Sequence, residues 1–109
     1  MEVLLYKLET PSTNSTIKLI KNDETYLIDG YDSGKTVREV FGGYGYEYSI
    51  KFHEKELNKL NGFLNFESEL FIKQWIDKYI GDPKCFSKIK AELDKKGITY
   101  TYFSWTDSD

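Results

Sequence analysis

The stretch Gly42-Gly43-Tyr44-Gly45-Tyr46-Glu47-Tyr48-Ser49-Ile50-Lys51-Phe52 alternates large apolar or aromatic side chains with small or polar ones. In extended backbone, successive side chains point to opposite faces. The spacing therefore predicts a strand that buries Tyr44, Tyr46, Tyr48, Ile50 and Phe52 and turns Glu47 and Ser49 outward. It ends near His53.

Upstream, Val3 to Leu8 is apolar and free of breakers, and Thr16 to Lys21 and Thr25 to Ile28 read as further strands. The turn cluster Pro11 to Ser15 and the short turn Asn22-Asp23-Glu24 join them into an antiparallel meander. The segment Asp29-Gly30-Tyr31-Asp32-Ser33-Gly34-Lys35-Thr36 then reads as a glycine-rich acidic loop. It approaches a phosphate-binding loop, but Asp29 stands where that pattern needs its first glycine, and a carboxylate there repels phosphate. The structural reading is a turn permitted by Gly30 and Gly34, followed by a capping box, Thr36-Val37-Arg38-Glu39, that opens a short helix.

Downstream of His53 the period lengthens. Leu57, Leu60 and Leu64, widened by Phe63, predict a helix that Asn61-Gly62 interrupts. A second helix is expected from about Glu67 to Ile80, with Ile72, Trp75, Ile76, Tyr79 and Ile80 on its buried stripe. Gly81 stops it, and Asp82-Pro83 caps and opens a third helix with the stripe Phe86, Ile89 and Leu93, which Gly97 ends. Ile98 to Trp105 alternates again and returns to the sheet, leaving a polar tail, Thr106 to Asp109. The expected fold is α+β, a single domain over 1–109: one antiparallel sheet of about four to five strands with about three helices on one face.

At 109 residues the chain can bury a real core, with 17% aromatic residues offsetting a modest 39% hydrophobic content. Its net charge of −3, with Arg38 the only arginine, argues against nucleic-acid binding, which draws on clustered Arg and Lys. The lone Cys85 allows no intrachain disulfide. No signal-peptide pattern and no apolar run of membrane-spanning length is visible, so a cytoplasmic location without membrane contact is expected.

Among candidate sites, His53 is the only histidine and the only side chain that could serve a Ser/His/Asp triad; its plainer reading is a residue at the start of a helix. Cys85 lies near a helix N-terminus, where a thiol pKa can fall, or else is a small buried filler. Asp29, Asp32, Glu39 and Glu47 are carboxylates near glycines and tyrosines, either a hydrolase-like cleft or a solvated acidic rim. The last strand has aromatics on both faces while helices cover one face of the sheet. One pair, Tyr100 with Tyr102 or Phe103 with Trp105, should therefore stay partly exposed, as on protein-binding surfaces.

The runs Ile28 to Lys35, Tyr46-Glu47-Tyr48-Ser49 and Gly97-Ile98-Thr99-Tyr100 to Ser104-Trp105 resemble a class of small uncharacterised bacterial proteins, and the resemblance covers most of the chain without implying an activity. In size and texture the chain is similar to toxin-neutralising immunity proteins and phage-encoded inhibitors. The expected function is thus an acidic protein-binding module that occludes a basic protein partner through Asp29, Tyr31, Asp32, Glu47, Phe103 and Trp105, with no metal, cofactor or catalytic residue. The alternatives are a small enzyme or ligand-binding domain using the Asp29 to Lys35 loop with His53 or Glu47, and a small-ligand or sugar sensor with an aromatic-lined concavity between sheet and helices.

Overall fold

The structure, a computed structural model, describes residues 1–57 and 68–107. Five strands, β1 (Glu2–Glu9), β2 (Asn14–Asn22), β3 (Thr25–Ser33), β4 (Gly45–His53) and β5 (Thr101–Asp107), form one antiparallel sheet in the order β1-β2-β3-β4-β5. Described with them are α1 (Lys35–Phe41), a 3₁₀ turn (Glu54–Glu56), α2 (Ser68–Asp77) and α3 (Cys85–Lys95). Among the described residues no helix is long and apolar enough to cross a membrane.

β1, β2 and β3 pair in sequence because the turns between them are short, β4 follows across α1, and β5 returns to the edge beside β4 after α2 and α3. The register places Leu19, Ile28 and Ile50 in one row and Tyr26 beside Phe52 in the next, their rings stacked at 5.6 Å between centroids. These side chains join Ile17 and Leu5 on one face, and against them pack Ile72, Trp75, Ile76 and Tyr79 of α2 and the turn after it, and Phe86, Ile89 and Leu93 of α3. Each such burial stabilises by roughly 1.5–3 kcal/mol before ordering costs. The opposite face carries Leu4, Lys18, Asp29, Ser49 and Phe103 in one row and Lys7, Thr16, Tyr31, Glu47 and Trp105 in the next.

Several expectations change. Strand β3 runs on through Ser33, so Asp29 to Ser33 is paired backbone and not a loop. The small and hydroxylated residues that suggest a turn are tolerated because aromatic rings cover the glycines: a Cβ on Gly30 would fall 2.0 Å from the Tyr48 ring. The capping box does not form. Gly34, at φ 111°, occupies the cap position, and the Thr36 N–H donates to the Ser12 carbonyl. Tyr44 precedes β4 and is exposed, its ring under the Arg38 guanidinium at 5.2 Å, while Tyr46 and Tyr48 are half-buried.

Helix α2 ends at Asp77, so Ile80 falls in a turn and is exposed instead of completing the stripe. Gly81, at φ 83°, donates its N–H to the Leu5 carbonyl at 2.7 Å, which ties this turn to the bulge between Leu4 and Tyr6 in β1. Asp82 does not cap the helix: its Oδ1 accepts the Lys84 N–H at 2.8 Å within the turn before it, Lys84 holds the cap position without a side-chain hydrogen bond, and the helix begins at Cys85. Residues 98–100 precede β5 instead of belonging to it, with Ile98 buried and the Thr99 N–H donating to Glu56. Leu60, Asn61, Gly62, Phe63, Leu64, Glu67 and the end of the tail lie outside the described residues.

Candidate functional site

The open face of the sheet brings together five of the six residues singled out from the sequence. Asp29 and Glu47 stand on neighbouring strands one diagonal step apart; Tyr31 pairs with Glu47, Phe103 with Ser49, and Trp105 with Glu47. A diagonal step in an antiparallel pair leaves side chains within reach of each other. Phe103 and Trp105 keep 52% and 53% of their surface exposed, and Leu4 joins them from β1 as an exposed apolar group.

Within this patch the carboxylates are held in tension. Asp29 is half-buried, and burial, reinforced by the Glu47 charge and by a side-chain hydrogen bond to Glu47, pushes its pKa up to about 6, with Lys18 opposing. Although Lys18 faces Asp29 across the ladder, its ammonium pairs instead with Glu2 at 3.2 Å. Oδ1 of Asp29 is buried without a hydrogen-bond partner. An ionised, unpaired oxygen in such a place costs stability, so the arrangement is an acceptor awaiting a donor.

Tyr31 reaches along the same face over Gly45, where a Cβ would lie 2.1 Å from its hydroxyl. Glycine there lets the phenol lie flat, closing one side of the patch. Ser49, expected to face outward, does lie on this face but is 9% exposed, since it is enclosed by its neighbours on the central strand. The sequence reading passed over Leu4 and Lys18. Alternation in β1 and β2 is their only signal, and the bulge breaks it in β1.

Asp32 does not belong to this patch. It projects to the helix side, where its Oδ1 accepts from the Ser15 hydroxyl at 2.6 Å and the Tyr48 hydroxyl at 3.3 Å. The parity of the strand decides this: Asp29 and Asp32 are an odd number of residues apart, and only the continuation of β3 through both makes that spacing matter. Burial, strengthened by Asp32, keeps the Tyr48 phenol protonated.

On the helix side, between α3 and the β4–β5 pair, lies an open groove of about 430 Å³. Tyr46, Tyr48, Tyr102 and Phe86 line it, with Lys90 and Asp94 at its rim. Phe86 meets the edge of Tyr48 at 4.7 Å between centroids, and Lys90 is engaged by Asp94 at 3.3 Å.

His53 and Cys85 take their plainer readings. His53 Nδ1 accepts the Lys55 N–H at 3.0 Å, capping the 3₁₀ turn, and Nε2 meets Glu24 at 3.1 Å. About 20 Å of extended strand separates it from Glu47, so the two do not share a site. Cys85 is fully buried, and burial followed by the Asp82 charge pushes its thiol up to about 11, away from the thiolate. Glu39 is exposed on α1, outside the paired rows of the sheet. Among the described residues no group of three or more His, Cys, Asp or Glu is placed to hold a metal ion. Comparison with protein-family models, with curated proteins and with solved structures finds no match for the chain.

Proposed function

We propose that this protein is a protein-binding module whose open sheet face receives a basic segment of a partner, in the manner of an immunity protein or inhibitor that acts by occlusion. The observation that carries the reading is Asp29, a half-buried carboxyl with an unpartnered oxygen beside Glu47 and ringed by exposed Phe103, Trp105 and Tyr31. Structural carboxylates are normally satisfied within the fold; one that engages Glu47 and still leaves an oxygen unsatisfied among exposed rings is suited to an incoming cation. A guanidinium fits best, since its planar fork can serve two carboxylates and its face can stack on Trp105. Binding would draw the Asp29 pKa back down and recover the stability its burial costs.

The helix-side groove favours a second reading, a small ring-bearing ligand held among Tyr46, Tyr102 and Phe86. One experiment separates them. A photo-crosslinking amino acid placed at Phe103, and separately at Tyr102, is expressed in the native host. The first reading expects a discrete adduct from position 103 to a protein other than this chain, reduced at least tenfold by Asp29→Asn with Glu47→Gln. Absence of any such adduct from position 103, or one indifferent to both carboxylates, overturns it.

A further inference from the structure

We propose that β5 is a pairing edge at which a second copy of this chain adds its own β5 antiparallel, extending the sheet to ten strands about a two-fold axis at Ser104. The two edges of the sheet are built differently. Strand β1 is guarded against pairing: it carries Glu2, Lys7 and Glu9, it is broken by the bulge between Leu4 and Tyr6, and its Leu5 carbonyl is already occupied by the Gly81 N–H. Charges, a bulge and a covering contact are the usual devices for blocking an edge. Among the described residues strand β5 has none of them from Thr101 to Thr106: Thr-Tyr-Phe-Ser-Trp-Thr is free of charge and proline, is rich in strand formers, and is exposed from Thr101 to Trp105. Left uncovered, such an edge invites uncontrolled aggregation.

A second copy suits this edge by its charge pattern. A strand whose single charge, Asp107, falls opposite Thr101 of the other copy meets its own image without opposing like charges, whereas a basic segment gains nothing from its uncharged run. With the axis at Ser104, Phe103 of each copy stands opposite Trp105 of the other, giving two aromatic cross-strand pairs on the open face. Pairing buries the edge-facing part of the exposed halves of Tyr102, Phe103 and Trp105 from both copies, at most roughly 450–750 Å², and leaves the open-face side of Phe103 and Trp105 uncovered. Strand backbone and the threonines bring the total toward the ~1,000 Å² of a specific interface, at the weak end of stable dimers. The axis is perpendicular to the sheet, so both Asp29 and Glu47 pairs remain on one side.

Sedimentation of the purified chain at up to millimolar concentration is expected to show a dimer of the 12.8 kDa protein. Ser104→Lys and Ser104→Asp, each placing like charges on the axis, should lose dimer affinity at least tenfold, and mixing the two variants should restore it. Ser104→Cys should form an intermolecular disulfide on mild oxidation, because directly opposed strand residues lie within disulfide reach and Cys85 is buried. A wild-type chain monomeric throughout overturns the proposal. So does a dimer that neither charged variant weakens and that Ser104→Cys does not crosslink. Neither outcome depends on the basic partner, whose binding is read on Asp29 and Glu47.

Discussion

The Asp29 carboxyl titrates near 6 in the folded chain against an ordinary 3.8, and the direction of that shift sets its effect on stability. Between these values the folded protein holds a proton that the unfolded chain has released, so stability falls as pH rises through the window and the full cost applies above it. Replacing the carboxylate by a neutral amide removes the cost. Asp29→Asn is therefore expected to stabilise the chain by about 1 kcal/mol at neutral pH, after discounting for the solvent the group still sees, and to give no gain below about pH 4. Urea denaturation at the two pH values checks this; equal effects at both would remove electrostatic strain as the cause. The pair Gly30 and Gly45 makes a related point on opposite faces: each accepts a tyrosine ring, Tyr48 inward and Tyr31 outward, where any side chain would collide. Neither role can be read from the glycines alone, because the covering rings come from the paired strand.

At the scale of elements, α2 and the turn after it separate two residues that periodicity treats as equal. Ile76 is buried against the sheet, while Ile80 lies beyond the end of the helix and is exposed. Ile76→Ala is expected to cost about 2–5 kcal/mol and Ile80→Ala under about 0.5 kcal/mol, measured as the change in denaturation midpoint. Similar losses at both sites would mean that the helix continues through Ile80. The limits of β3 depart from its local sequence pattern for a comparable reason. Gly30, Asp32 and Ser33 look like turn residues locally, yet pairing on both sides, from Ile17 to Asn14 and from Tyr48 to Gly45, holds them extended. Local propensity is a weak prior that a central sheet position overrides.

For the molecule as a whole, a sheet covered on one face divides its side chains between core and surface, and the proposed function belongs to the uncovered side. Because Asp29 takes up a proton near pH 6, capture of a basic partner is expected to weaken several-fold as pH falls from about 7 to about 5 and to weaken also with added salt. Pull-down of the crosslinked partner across that range checks it; affinity that rises on acidification would exclude the carboxylate pair as the recognition element.

The sequence alone located the central strand and two of the helices and most of their buried faces. Periods of two and of about three and a half residues placed the central strand, α2 and α3 and their buried stripes apart from Tyr44 and Ile80, because side-chain direction follows directly from backbone geometry. It also limited the chemistry, through one histidine, one cysteine and one arginine. Only the tertiary structure decided what the strand Tyr44 to Phe52 faces: it set Tyr44 free of the core, enclosed Ser49, put Asp29 beside Glu47, and sent Asp32 to the other side. Those outcomes depend on register, and register is fixed by which strands pair, not by any one strand's own pattern.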